Sequence, residues 1–180
     1  MLAVAQLILV RCMRARLFLL SIALALCAAR GDEPLPPPTK VTRTSPSGRI
    51  RAISDPESNT TRVEDVKLRR LLWTLPEWHR AFFVADDGKH VVTEYGGLNL
   101  IPTGLFIGHI VLFTFWEEGK KIREVRVRDL FPKRSILQRT ASHYSWCESV
   151  GIDEHGRLKV ERVDKKIFLF DVATGKEIKT

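Results

Sequence analysis

Three residues in "ASHYSWCESVGIDEHG" carry groups able to do chemistry together. His143, Cys147 and His155 stand at H-x3-C-x7-H spacing. A thiol within hydrogen-bond reach of an imidazole is an activated nucleophile, so this set would suit a small exported hydrolase or thiol enzyme using Cys147 with His143 or His155. The spacing does not suit zinc, which takes closely paired ligands such as C-x-x-C or H-E-x-x-H. In "FFVADDGKHVV", residues 82 to 92, Asp86 and Asp87 set two carboxylates before Gly88. A calcium loop needs oxygen ligands at alternating positions, so the aspartates are expected to form a turn and no metal is expected. "ATGKEI" ends in Gly-Lys, but Glu177 occupies the Ser/Thr position of a phosphate loop and Phe170 the position of its first glycine. No cofactor is expected.

Two further stretches are candidates for binding. "YGGLNLIPTG", residues 95 to 104, reads as a long loop, with Tyr95, Gly96, Gly97 and Asn99 as the residues expected to touch a ligand. Arg69, Arg70, Lys120, Lys121, Arg126, Arg128, Lys133 and Arg134 form a basic band. No nucleic-acid motif surrounds it, so no nucleic-acid partner is expected. Trp73, Trp78, Trp116 and Trp146 are expected mostly in the core or as cross-strand partners.

The elements that must position these residues are strands. A polar residue, a glycine and a basic residue recur at Ser47-Gly48-Arg49, Asp87-Gly88-Lys89, Glu118-Gly119-Lys120, His155-Gly156-Arg157 and Thr174-Gly175-Lys176. Short runs rich in Val, Ile, Phe and Thr flank them, which is the signature of β-hairpins whose glycine takes positive φ. Gly48, Asp87, Gly88, Gly119, Gly156 and Gly175 are therefore expected to form turns. In "RLKVERV" and "IREVRV" apolar and polar residues alternate, as in antiparallel strands with one wet face. Residues 62 to 75 partly fit a helical period, but two strands and a turn fit about as well, and a strand over Leu71 to Leu75 is the expectation. The fold class is mainly β: antiparallel hairpin or meander repeats, arranged like propeller blades or as an open sandwich.

Gly48 to Gly88 spans 40 residues, Gly88 to Gly119 spans 31 and Gly119 to Gly156 spans 37. Repeats near 40 residues mark four-stranded propeller blades. With this spacing and the ending "IFLFDVATGKEI", residues 167 to 178, the chain resembles the β-propeller-like repeat proteins found outside the bacterial cytoplasm, in particular uncharacterised secreted proteins with degenerate repeats. The resemblance spans roughly residues 45 to 178 and implies an extracytoplasmic β-repeat module. Four blades would need about 160 residues, more than remain after the N-terminal segments, so an open stack or a ring completed by two chains is expected.

The first 29 residues have the basic, apolar, small-residue order of a signal peptide: Arg14 and Arg16, then "LFLLSIALAL", then "CAA". Met13 offers a second start, and Cys27 is a candidate lipid anchor. Residues 30 to 46, rich in proline, read as a tether, and residues 47 to 180 as a single β-repeat domain. With Cys12 and Cys27 in the signal, Cys147 would be the lone cysteine of the mature chain and could form no internal disulfide. The whole chain carries 29 basic and 21 acidic residues; loss of Arg11, Arg14 and Arg16 lowers the balance from +8 to +5, which suits polyanions only weakly. The functional expectation is an exported, non-catalytic binding or structural module, periplasmic or secreted. Its partner would be an envelope or extracellular protein or ligand, with membrane contact only through the signal segment or a lipid on Cys27.

Overall fold

A computed structural model describes residues 35–179, and the N-terminal signal segment lies outside them. The described chain is built from antiparallel strands in four sheets. The first sheet is a meander of β1 (Val41–Thr44), β2 (Ile50–Asp55), β3 (Thr60–Asp65) and β4 (Arg70–Leu75), paired in sequence order. The second holds β5 (Phe82–Val84), β6 (His90–Glu94), β8 (Val111–Glu117) and β9 (Lys120–Arg126), with β7 (Ile101–Pro102) diverted elsewhere. The third is β12 (Cys147–Ile152), β13 (Arg157–Arg162) and β14 (Ile167–Asp171), with a bridge from Phe170 to Glu177 beginning a fourth strand. β10 (Gln138–Arg139), β11 (His143–Ser145) and β7 form a small accessory sheet, accompanied by the one-turn helix α1 (Val127–Leu130). Among the described residues no helix is long and apolar enough to cross a membrane.

The three meanders approach one another through their first strands: β5 lies against β1 on one side and β12 on the other. A cavity of about 230 Å³ marks the meeting place, lined by residues that include Arg43, Phe83, Val84 and Ile152. One core, with Ile50, Ala52, Val63, Phe82, Val84 and Val91, fills the space between the first and second sheets. A larger one joins Val92, Phe113, Phe115 and Val125 of the second sheet to Leu158, Val160, Phe168 and Phe170 of the third.

This stacking explains the two kinds of strand in the sequence. The second sheet is covered on both faces, so β6 and β8 are buried along most of their length and read as near-continuous apolar runs. The first and third sheets are covered on one face only, so β3 and β13 alternate. Their uncovered faces are mostly polar: Arg51 pairs with Glu64 across the first at 2.8 Å, and Lys159 and Glu161 stand on the third.

Several expectations change. The tether does not run to residue 46: Val41–Thr44 pairs with β2 along its whole length. Residues 62 to 75 are two strands and a turn, and the second strand opens at Arg70. The glycine spacings mix two kinds of turn. Gly48, Gly88 and Gly156 lie between first and second strands, whereas Gly119 and Gly175 follow third strands. Equivalent first turns are therefore 40 and then 68 residues apart, the second interval being lengthened by the accessory layer. The loop at 95 to 104 is not wholly irregular, since Ile101 pairs with Tyr144.

Candidate functional site

The carboxylates of the Asp86-Asp87 turn are held by donors of the protein itself. Asp87 Oδ1 accepts the backbone N–H groups of Lys89 and His90 at 2.8 and 3.0 Å, and its Oδ2 meets His90 Nδ1 at 2.5 Å. Burial opposes ionisation of Asp87, but the His90 side chain and these N–H groups outweigh it and keep the carboxyl below its ordinary range. Asp86 reaches across to the turn of the first sheet, accepting from the backbone N–H of Ser47 at 3.0 Å and from its hydroxyl. One aspartate caps its own turn and the other fastens two turns together.

The proposed nucleophile is held in a different way. Cys147 opens β12, and its thiol donates to Asn99 Oδ1 at 3.7 Å. Burial, with the nearby charges of Glu94 and Glu148, pushes the thiol up to about 12, so it stays protonated at neutral pH. His155 stands exposed in the turn at the far end of β12, beyond five strand steps, or about 17 Å. His143 lies in the accessory sheet, its ring Nδ1 2.9 Å from Ser142 Oγ. The structure thus joins Cys147 to Asn99, and His155 is too distant to serve it.

The expected ligand loop is largely scaffold. Asn99 accepts the backbone N–H groups of Trp146 and Cys147 at 2.7 and 3.1 Å, and donates Nδ2 to the Cys147 carbonyl at 2.9 Å. Trp146, fully buried, donates its indole N–H to the Leu98 carbonyl at 2.7 Å and meets Phe113 edge-on at 5.5 Å. The Tyr95 ring lies over Gly97 so closely that a Cβ there would collide with it, which is the reason for glycine at that position. Gly96 has open space around it.

The best-formed surface cleft was not identified from sequence. It is a hollow of about 330 Å³ between the turns of the first and second sheets, with Ile50, Leu68, Leu72 and Trp73 among its lining residues. Trp73 is fixed by its indole N–H to the Gly88 carbonyl at 2.8 Å. Arg49 and Asp65 pair on the rim at 3.6 Å. Arg70, Lys89 and Glu118 also line the cleft, and among the described residues they have no ion-pair partner. Leu68 and Leu71, 63% and 53% exposed, extend an apolar edge beside it. The local sequence "VKLRRLLW" contained the signal, apolar and basic residues together where a hairpin turns, but only the fold sets it beside Lys89 and Glu118.

The fold makes this chain a β-repeat module. No family model and no curated protein matches it. Among solved structures it is similar to hydrazine synthase of Kuenenia stuttgartiensis, at 15% identity and a TM-score of 0.39, covering 77% of this chain and 35% of that one. It is also similar to the dihydro-heme d1 dehydrogenase NirN in complex with DHE, at 14% identity and a TM-score of 0.41, covering 78% of this chain and 27% of that one. The chain therefore spans about a third or less of the length of either.

Proposed function

We propose that this chain is an exported, non-catalytic β-repeat binding module that holds a partner segment in the cleft between its first two sheets. The observation that carries this reading is the cleft's rim: two cations, Arg70 and Lys89, and one carboxylate, Glu118, without ion-pair partners among the described residues, above an apolar floor. That set suits a segment offering a carboxylate and an apolar side chain together, since charge-assisted hydrogen bonds fix orientation while apolar burial supplies affinity. The groups that would argue for catalysis have other work: Asp87 caps its turn and Cys147 is bound to Asn99. Export is supported by the order of basic, apolar and small residues in the first 29 positions.

The test is partner capture from an envelope fraction by the wild-type protein and by the double variant Arg70→Glu/Lys89→Glu. Loss of a captured species on charge reversal is expected. Capture unchanged by the reversal overturns the cleft assignment. Turnover of an ester, peptide or glycoside substrate that disappears in Cys147→Ala overturns the non-catalytic reading.

A further inference from the structure

The accessory layer presents a second surface, on a different part of the molecule from the cleft. Leu105 and Phe106 are 86% and 81% exposed, the two most exposed large apolar side chains among the described residues. They are neighbours at the tip of the loop that links β7 to the 3-10 turn at Ile107–His109, with Gly104 before them and Gly108 after. Isolated exposed apolar residues are ordinary, but an adjacent, projecting Leu-Phe pair marks a contact surface.

The surroundings of the tip say what kind of contact. On one side Gly108 packs against Arg128, whose guanidinium lies 3.5 Å from His109 Nδ1. On the other, Thr103 donates to the Ser142 carbonyl at 3.3 Å, and β7 pairs with β11, which pairs in turn with β10. The two segments that build this layer, 95–110 and 127–146, contain Arg128, Lys133, Arg134 and Arg139 but only one carboxylate, Asp129, giving 4 − 1 = +3. Asp129 is occupied by the backbone N–H of Arg126 at 2.7 Å. Elsewhere many of the cations are neutralised, as in Arg126 with Glu124, Arg157 with Asp153 and Arg162 with Asp164. The four cations of this layer have no carboxylate partner among the described residues.

We infer that this tip docks on an anionic lipid bilayer, with Leu105 and Phe106 entering the headgroup region and the cations around them meeting lipid phosphates. A protruding apolar pair within a loose collar of positive charge fits a fluid surface, which yields to the wedge and needs no matching shape. The contact is interfacial, and it extends the membrane contact expected from sequence beyond the first 29 residues. It is independent of the partner cleft.

The experiment is co-sedimentation of the protein with phosphatidylcholine vesicles, pure or containing about a third phosphatidylglycerol, a composition chosen to give an anionic surface. Binding to the anionic vesicles alone, weakened by salt, is expected. Leu105→Ser/Phe106→Ser and Arg128→Gln/Lys133→Gln/Arg139→Gln should each lower the partition coefficient about tenfold or more, by loss of buried apolar area or of charge. Both alter exposed positions, and an unchanged melting curve confirms folding. A Phe106→Trp variant gives a second readout, the emission of the introduced indole moving to the blue on anionic vesicles. Arg70→Glu/Lys89→Glu should bind vesicles as wild type does, which separates this result from that for the cleft. Equal binding to neutral vesicles, no effect of the serine pair, or an unmoved emission from sedimented Phe106→Trp protein overturns the proposal. Preference for polyglutamate beads over vesicles overturns it in favour of an acidic protein partner.

Discussion

Gly88 is the position where one added methyl group should do most harm, and a second turn supplies its control. Gly88 and Gly156 have nearly the same backbone, φ 74° and 73°, each in the turn after the first strand of a sheet. Forcing an L-residue into this region costs roughly 1–2 kcal/mol at either site. The surroundings differ. A Cβ on Gly88 would stand 2.9 Å from Leu72 Cδ1 and 3.2 Å from Ile50 Cδ1, whereas one on Gly156 meets nothing within 4 Å. Overpacking adds about 1–3 kcal/mol, so Gly88→Ala should cost about 2–4 kcal/mol against about 1–2 for Gly156→Ala. Gly88→Val should cost more still, since a β-branched residue resists positive φ. Urea denaturation followed by tryptophan fluorescence measures all three. The Trp73 indole bonded to the Gly88 carbonyl reports locally, and its emission should shift in the Gly88 variants alone. Equal losses for Gly88→Ala and Gly156→Ala would refute the contact argument and leave φ as the whole effect.

Asn99→Ala removes three hydrogen bonds to the backbone of Trp146 and Cys147 and should cost about 2–4 kcal/mol in the same assay. Asn99→Asp keeps the acceptor and loses the donor, so its loss should be intermediate; a neutral Asn99→Ala would remove this residue from the scaffold. Glu94 gives a pH dependence. Burial raises its carboxyl to about 7 from an ordinary 4.5, so the folded state holds a proton that the unfolded chain has released. Stability should therefore fall as pH rises from about 4.5 to 7 and then level off. Melting temperatures across that range should show the slope flattened in Glu94→Gln, and an identical slope in both proteins would exclude Glu94 as its source.

The meander sheets were legible because their signals are local. Alternation in β3 and β13 and the apolar run of β8 follow from which faces are covered, and glycine after a polar residue marks a tight turn. The equivalence of turns was not legible, since Glu118-Gly119-Lys120 has the same pattern of residue types as Asp87-Gly88-Lys89 and only strand pairing separates a third-to-fourth turn from a first-to-second one. Val41–Thr44 was hidden by the prolines around it; the strand is defined by partners about ten residues away. The role of Asn99 depends on Trp146 and Cys147, 47 and 48 positions later, a separation that no window of sequence spans. The cleft was missed for the same reason, since Arg70 and Glu118 meet only through packing of two sheets.

The uncovered faces of the outer sheets have a consequence for assembly. A stack of similar sheets is at risk of head-to-tail growth: whatever lets the second sheet sit on the first would let another molecule sit on the third, and such contacts generate filaments when they do not close. Here any newcomer would have to desolvate Arg51 and Glu64 at one end, or Lys159 and Glu161 at the other. Buried ion pairs rarely recover that cost. The charged rows thus work as end stops, keeping the stack soluble and finite while its middle sheet, apolar on both sides, keeps the sheets together.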